Sequence, residues 1–192
     1  SALPTRTLVE EPYTFLCQGE GPYTISGLIK AIQEGSNFSI VPGLWYRNEE
    51  GAIVGTKPAP NITDLDGDLQ RQAWELLDMS RYRAHNWHCF EDLSARQPYA
   101  SVYTSLGCPF GCSFCCINAP FGTNRYRMRS TKSVVDEIEL LYRDYGVRNL
   151  KIVDEMFVLN EQHVLTICDL IIERGYDLNI WAYARVDTVK DR

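Results

Sequence analysis

The stretch that decides the fold is "YASVYTSLGCPFGCSFCC", residues 99–116. Tyr99 to Ser105 reads as a strand that runs directly into four cysteines, Cys108, Cys112, Cys115 and Cys116. Downstream the chain alternates strictly between helix and strand patterns. Ser130 can cap a helix bearing Val134, Ile138, Leu141 and Tyr145, ended by Gly146. Asn149 to Val153 is the next strand. Asn160 then caps a helix with Val164, Ile167 and Ile171 inward, ended by Gly175, and "LNIWAYAR", residues 178–185, is a third strand. Helices between short apolar strands imply parallel pairing and right-handed crossovers, so the class is α/β, the start of a barrel or an open sheet.

Upstream, "YTFLCQGEGPYTISGLIKAIQEG", residues 13–35, reads as a strand from Tyr13 to Cys17, a Gly19-Glu20-Gly21 turn and a helix. Ile25, Leu28, Ile29 and Ile32 fall at helical spacing and predict its inward face. Such strand–turn–helix units build open α/β sheets. Leu44 to Arg47 and Ala52 to Val54 predict a hairpin. "TKPAPNITDLDGD", residues 56–68, has linker composition. Residues 69–79 predict a short connecting helix with Leu69, Ala73, Leu76 and Leu77 inward. His85, His88 and Cys89 lie in an aromatic-rich stretch that reads as a packed loop, because H-x-x-H-C without a fourth ligand is poor zinc spacing.

Composition narrows the function classes. The 192 residues carry a net charge of −6 and no basic run, which argues against nucleic acid or anionic membrane as the main partner. No apolar stretch approaches the ~20 residues of a membrane span. Seven cysteines without an export signal point to a reducing compartment, the cytoplasm. Cys17, Cys89 and Cys168 are scattered and read as packing residues. Three strands and two helices after Pro98 fall well short of the roughly 250 residues of a complete eightfold barrel. The expectation is an internal fragment of a longer protein.

Thiolates suit zinc, copper(I) and iron–sulfur clusters. Structural zinc and ferredoxin-like clusters want four ligands, and no second C-x2-C half exists in this chain. Cys116 is a poor fourth ligand beside Cys115, because neighbouring side chains diverge. Three thiolates from C-x3-C-x2-C therefore leave a metal position open for chemistry. Gly107 and Gly111 let the loop wrap a bulky inorganic group, and Pro109 stiffens it.

C-x3-C-x2-C directly after the first strand of a βα repeat, with Phe114 before the last cysteine, resembles the radical S-adenosylmethionine (SAM) enzymes. The resemblance implies that Cys108, Cys112 and Cys115 hold a 4Fe-4S cluster whose fourth iron is chelated by SAM, and that Phe114 contacts the adenine. It implies reductive cleavage of SAM to methionine and a 5′-deoxyadenosyl radical that abstracts hydrogen from a small-molecule substrate. "RYRMRSTKSVVDEIELLYRDYGVRNLKIVDEMFVLN", residues 125–160, is similar to the same region of relatives with an N-terminal cobalamin (B12)-binding domain. There an acidic pair and an aromatic follow the second strand, matched by Asp154, Glu155 and Phe157. The implied fold is the C-terminal part of a Rossmann-like cobalamin-binding domain at residues 1–60 and a linker at 61–97. The first three βα units of a partial TIM barrel then fill residues 98–192. The cobalamin signature D-x-H-x-x-G is absent from this chain.

Asp154 and Glu155 at a strand's C-terminal end could accept hydrogen bonds from SAM's amino group or ribose. Arg185 could pair with its carboxylate, or else with Asp187 or Asp154. Arg125, Arg127 and Arg129 read as a solvated loop. The implied reaction is methyl transfer or related C–H modification, with flavodoxin or ferredoxin as electron donor. The rival from another class is a non-catalytic zinc or iron–sulfur binding module. No catalytic residue is assigned.

Overall fold

A computed structural model describes residues 3–69, 71–89 and 91–189. Two compact units emerge, one from Ser1–Thr63 with Pro109–Arg125, the other from Asp64–Cys108 with Tyr126–Arg192.

The first unit holds helix α1 (Pro4–Glu10), strand β1 (Phe15–Cys17), helix α2 (Pro22–Glu34) and the hairpin β2 (Leu44–Arg47) and β3 (Ile53–Gly55). Asn48 turns the hairpin, its side-chain oxygen accepting from the amides of Glu50 and Ala52. β1 takes the other edge of β2 in antiparallel register, so this sheet is a three-stranded antiparallel one and not the open parallel sheet expected from its strand–turn–helix unit.

Of the inward face predicted for helix α2, Leu28 does pack against the Ala31, Val41 and Leu44 cluster, but the three isoleucines turn out. Ile25, Ile29 and Ile32 are 50%, 51% and 55% exposed, whereas Thr24 and Ala31 are buried. The small residues face the sheet because the chain comes close there. A Cβ on Gly27 would lie 3.3 Å from Val41, and the Thr24 hydroxyl donates to the Pro42 carbonyl at 2.8 Å.

The second unit contains helix α3 (Leu65–Leu69), strands β4 (Tyr99–Val102), β5 (Ser105–Leu106) and β6 (Arg127–Met128), helix α4 (Thr131–Asp144), strand β7 (Asn149–Ile152), helix α5 (Glu161–Glu173) and strand β8 (Asn179–Ala182). β4, β7 and β8 pair in parallel in that order. Ser130 and Asn160 cap α4 and α5, accepting from Ser133 N and His163 N, and Gly146 and Gly175 end them with positive φ. Ala100, Val102, Leu150 and Ile152 form one core with Val134, Ile138 and Leu141 of α4 and Ile167 and Ile171 of α5. Both helices therefore cover the same face of the sheet.

Residues 69–79 form no continuous helix among the described residues, and Gln70 lies outside them. Trp74 and Met79 enter the core, while Leu76 and Leu77 are exposed. Among the described residues no helix is long and apolar enough to cross a membrane.

Candidate functional site

The chain leaves β4 through a buried polar lock. β7 ends at Ile152, and Asp154 two residues on is fully buried. Its carboxylate accepts from the Thr104 amide at 2.7 Å, the Thr104 hydroxyl at 2.5 Å and the Ser105 hydroxyl at 2.6 Å. The Thr104 proton is thereby spent on Asp154. The same oxygen lies 3.1 Å from His163 Nε2 and so accepts from it, which assigns the Nε2–H tautomer. Burial pushes the His163 imidazole down, against a smaller upward pull from Asp154. The lock splits the strand expected over Tyr99 to Ser105 into β4 and β5.

Beyond the lock, the Gly107 amide donates to Glu155 Oε2 at 3.1 Å. Gly107 has φ +85, a conformation that side chains resist. Cys108 follows, buried. The acidic pair at the end of β7 thus fixes the start of the cysteine loop, Asp154 from inside and Glu155 from its half-buried position. Burial, with Glu155 and Asp154 nearby, pushes the Tyr103 phenol up.

In the first unit, Cys112 is half-buried and Cys115 and Cys116 are exposed. The Cys115 amide donates to the Cys112 carbonyl at 3.1 Å, a tight turn joining two of the three motif thiols. A Cβ on Gly111 would sit 3.0 Å from Asn124 Nδ2, so glycine there serves close approach. Asn118 ties the loop together, donating to the Phe110 carbonyl and accepting through its own carbonyl from the Phe121 and Gly122 amides. Phe114 is 91% exposed.

The donor chemistry fits an iron–sulfur cluster: soft sulfur ligands on one loop, with no disulfide among the described residues. No group of three His, Cys, Asp or Glu side chains that could hold a metal ion is found among the described residues. Cobalamin is a different case. Residues 1–60 contain no histidine and offer cobalt no imidazole.

The structure redistributes the other candidates. Asp154 has its oxygens engaged inside the protein, so its place is to hold the loop and not to meet a ligand. Arg185 makes a bidentate pair with Asp187 at 2.9 and 2.7 Å. Arg129 is no solvated cation. It is buried on Glu137, which also accepts from Trp74 Nε1 at 2.8 Å. His88 stacks on Tyr99 and lies 4.5 Å from Trp181, and Cys89 is buried, as a packed loop requires. Sequence reasoning missed Thr104, Ser105 and His163. The sequence gives no local sign that their hydroxyls and imidazole meet one carboxylate.

No family model matches the chain. It is 31% identical over 175 residues to an uncharacterized methyltransferase of Pyrococcus horikoshii, covering 91% of this chain and 35% of that protein. It is also 31% identical over 183 residues to the anaerobic magnesium-protoporphyrin IX monomethyl ester cyclase of Synechocystis, covering 95% and 34%. The chain thus spans about a third of the length of these relatives. Among solved structures, the radical S-adenosylmethionine methyltransferase TsrM from Kitasatospora setae, with tryptophan substrate and a SAM analogue bound, matches with TM-score 0.59 and 26% identity. That match covers 89% of this chain and 32% of TsrM. The cobalamin-dependent SAM radical enzyme OxsB, at 18% identity, shares the fold over 99% of this chain and 25% of its own, with TM-score 0.68.

Proposed function

We propose that this chain is part of a radical SAM enzyme of the type that carries a cobalamin-binding domain, and that it holds the cluster loop and SAM-facing edge of that enzyme. Residues 98–192 would form the first three βα units of the barrel, residues 61–97 the linker, and residues 1–60 the closing part of the cobalamin-binding domain. Cys108, Cys112 and Cys115 would hold a 4Fe-4S cluster. When bound, that cluster supplies one electron that cleaves SAM to methionine and a 5′-deoxyadenosyl radical.

The observation that carries this reading is the launch of the cysteine loop from the C-terminal edge of β4, beside the acidic pair at the same edge of β7. Barrel chemistry is done at that edge. Glu155 would orient SAM's amino group or ribose while holding the Gly107 amide, and Phe114 would cover the adenine. Arg185 would exchange its bidentate grip on Asp187 for the SAM carboxylate. Asp154, Thr104, Ser105 and His163 would keep the loop's root fixed while the three thiols gather. The reaction would be methyl transfer or a related C–H modification of a small molecule, with flavodoxin or ferredoxin as the donor and the cytoplasm as the compartment.

Anaerobic reconstitution with iron and sulfide tests the reading. The expected product is brown, with broad visible absorption and bound iron and sulfide. Colourless protein with stoichiometric zinc would make the chain a non-catalytic metal module instead.

A further inference from the structure

The sheet of the second unit has two unlike faces. Ala100, Val102, Leu150 and Ile152 point to α4 and α5. The alternate residues, Tyr99 and Ser101 on β4, Lys151 on β7 and Trp181 on β8, point the other way, in register across the strands. At its start this second face is closed by His88, packed against Tyr99 and Trp181. Above that floor stands Lys151. Its ammonium lies 5.1 Å from the ring centroids of both Trp181 and Tyr183 and donates to the Tyr183 hydroxyl at 3.3 Å. The two rings meet edge to face, 4.7 Å apart at 82°.

We infer that Lys151, Trp181 and Tyr183 form a binding corner for the carboxylate of a planar aromatic substrate, which rests on the reading proposed above and names its substrate class. Among the described residues Lys151 has no carboxylate within ion-pair distance. Its company is a hydroxyl and two π faces. An ammonium has three donors, and only one is used. The Tyr183 hydroxyl accepts from Lys151 and keeps its own proton to donate. The two polar atoms are 3.3 Å apart, so each can serve one oxygen of the same carboxylate. Trp181 and Tyr183 offer flat apolar surface beside that pair, where a planar ring can stack. His88 adds no competing cation at neutral pH, since burial and then the charge on Lys151 push its imidazole down.

The test is calorimetric titration of the 192-residue chain with 2-naphthoate and its uncharged isostere 2-naphthamide. The wild-type protein and Lys151→Arg should bind the anion about tenfold more tightly than the amide, the scale of one charge-assisted hydrogen bond. Lys151→Met should bind the two alike. Its half-exposed site tolerates the change, and matched thermal unfolding confirms that the variant folds. Equal binding of both probes to the wild type, an anion preference that survives in Lys151→Met, or no binding of either probe would each overturn the inference. These titrations need neither iron nor SAM. A corner that discriminates in a chain that takes up no iron would leave this inference standing while the radical SAM reading fell, and the converse result would separate them the other way.

Discussion

The Asp154 carboxylate accepts from both the backbone amide and the hydroxyl of Thr104, at 2.7 and 2.5 Å, although fifty positions separate them in the chain. This contact joins the ends of two neighbouring parallel strands and sets the point from which the cysteine loop departs. Residues meant to bring thiols together need such a fixed root; further along, short turns and the Asn61 side chain, which donates to the Phe121 carbonyl at 2.7 Å, hold the loop.

Asp154→Ala would leave a buried amide and two hydroxyls without their acceptor and should cost about 3 kcal/mol or more. Asp154→Asn keeps one carbonyl oxygen and should cost less. Urea unfolding gives the stabilities, and hydrogen exchange at Gly107 and Cys108 should quicken in Asp154→Ala before exchange in α4 does.

His163 makes stability depend on pH. Burial lowers its folded-state pKa, so the unfolded chain binds a proton more readily. Its contribution is complete above the unfolded value of about 6.5 and is lost as pH falls through the folded one. His88 is shifted the same way. Unfolding midpoints should drop between pH 7.5 and 5, and His163→Gln should flatten that slope while lowering stability at pH 7.5.

The Arg129–Glu137 pair is buried, at 7% and 2% exposure. Glu137→Ala removes the acceptor of the Trp74 indole N–H and, among the described residues, leaves the buried guanidinium only the more distant carboxylate of Asp66, at 3.8 Å, and should cost about 3 kcal/mol. Adding Arg129→Met should restore at least about 1 kcal/mol of that loss, a coupling that a double-mutant cycle measures. Strictly additive losses would show the pair to be energetically idle.

The four clustered cysteines should separate by function. Cys108→Ala, Cys112→Ala and Cys115→Ala should each abolish the visible absorption gained on reconstitution, and Cys116→Ala should keep it. Cluster uptake should also protect residues 108–116 from proteolysis.

Local signals were the legible part of the fold. Ser130 and Asn160 are the side chains that cap α4 and α5, Gly146 and Gly175 end them, and strict helix–strand alternation announced the parallel sheet. What the sequence hid depends on partners far along the chain. Helix α2 shows its isoleucine stripe in the sequence, but the close approach of Val41 to Gly27 brings Thr24 and Ala31 inward instead. Arg129 looked solvated beside Arg125 and Arg127, since nothing local shows that Glu137 turns inward to meet it. At the site, motif spacing singled out the thiols and the acidic pair. The division of labour between Asp154 and Glu155 required knowing where Thr104 and Gly107 lie.

The most direct test of the central claim is electron paramagnetic resonance of the reconstituted, reduced protein with and without SAM. The account predicts a reduced-cluster signal that changes when SAM is added, because SAM takes the iron position that three cysteines leave open. A signal identical in both samples would contradict it.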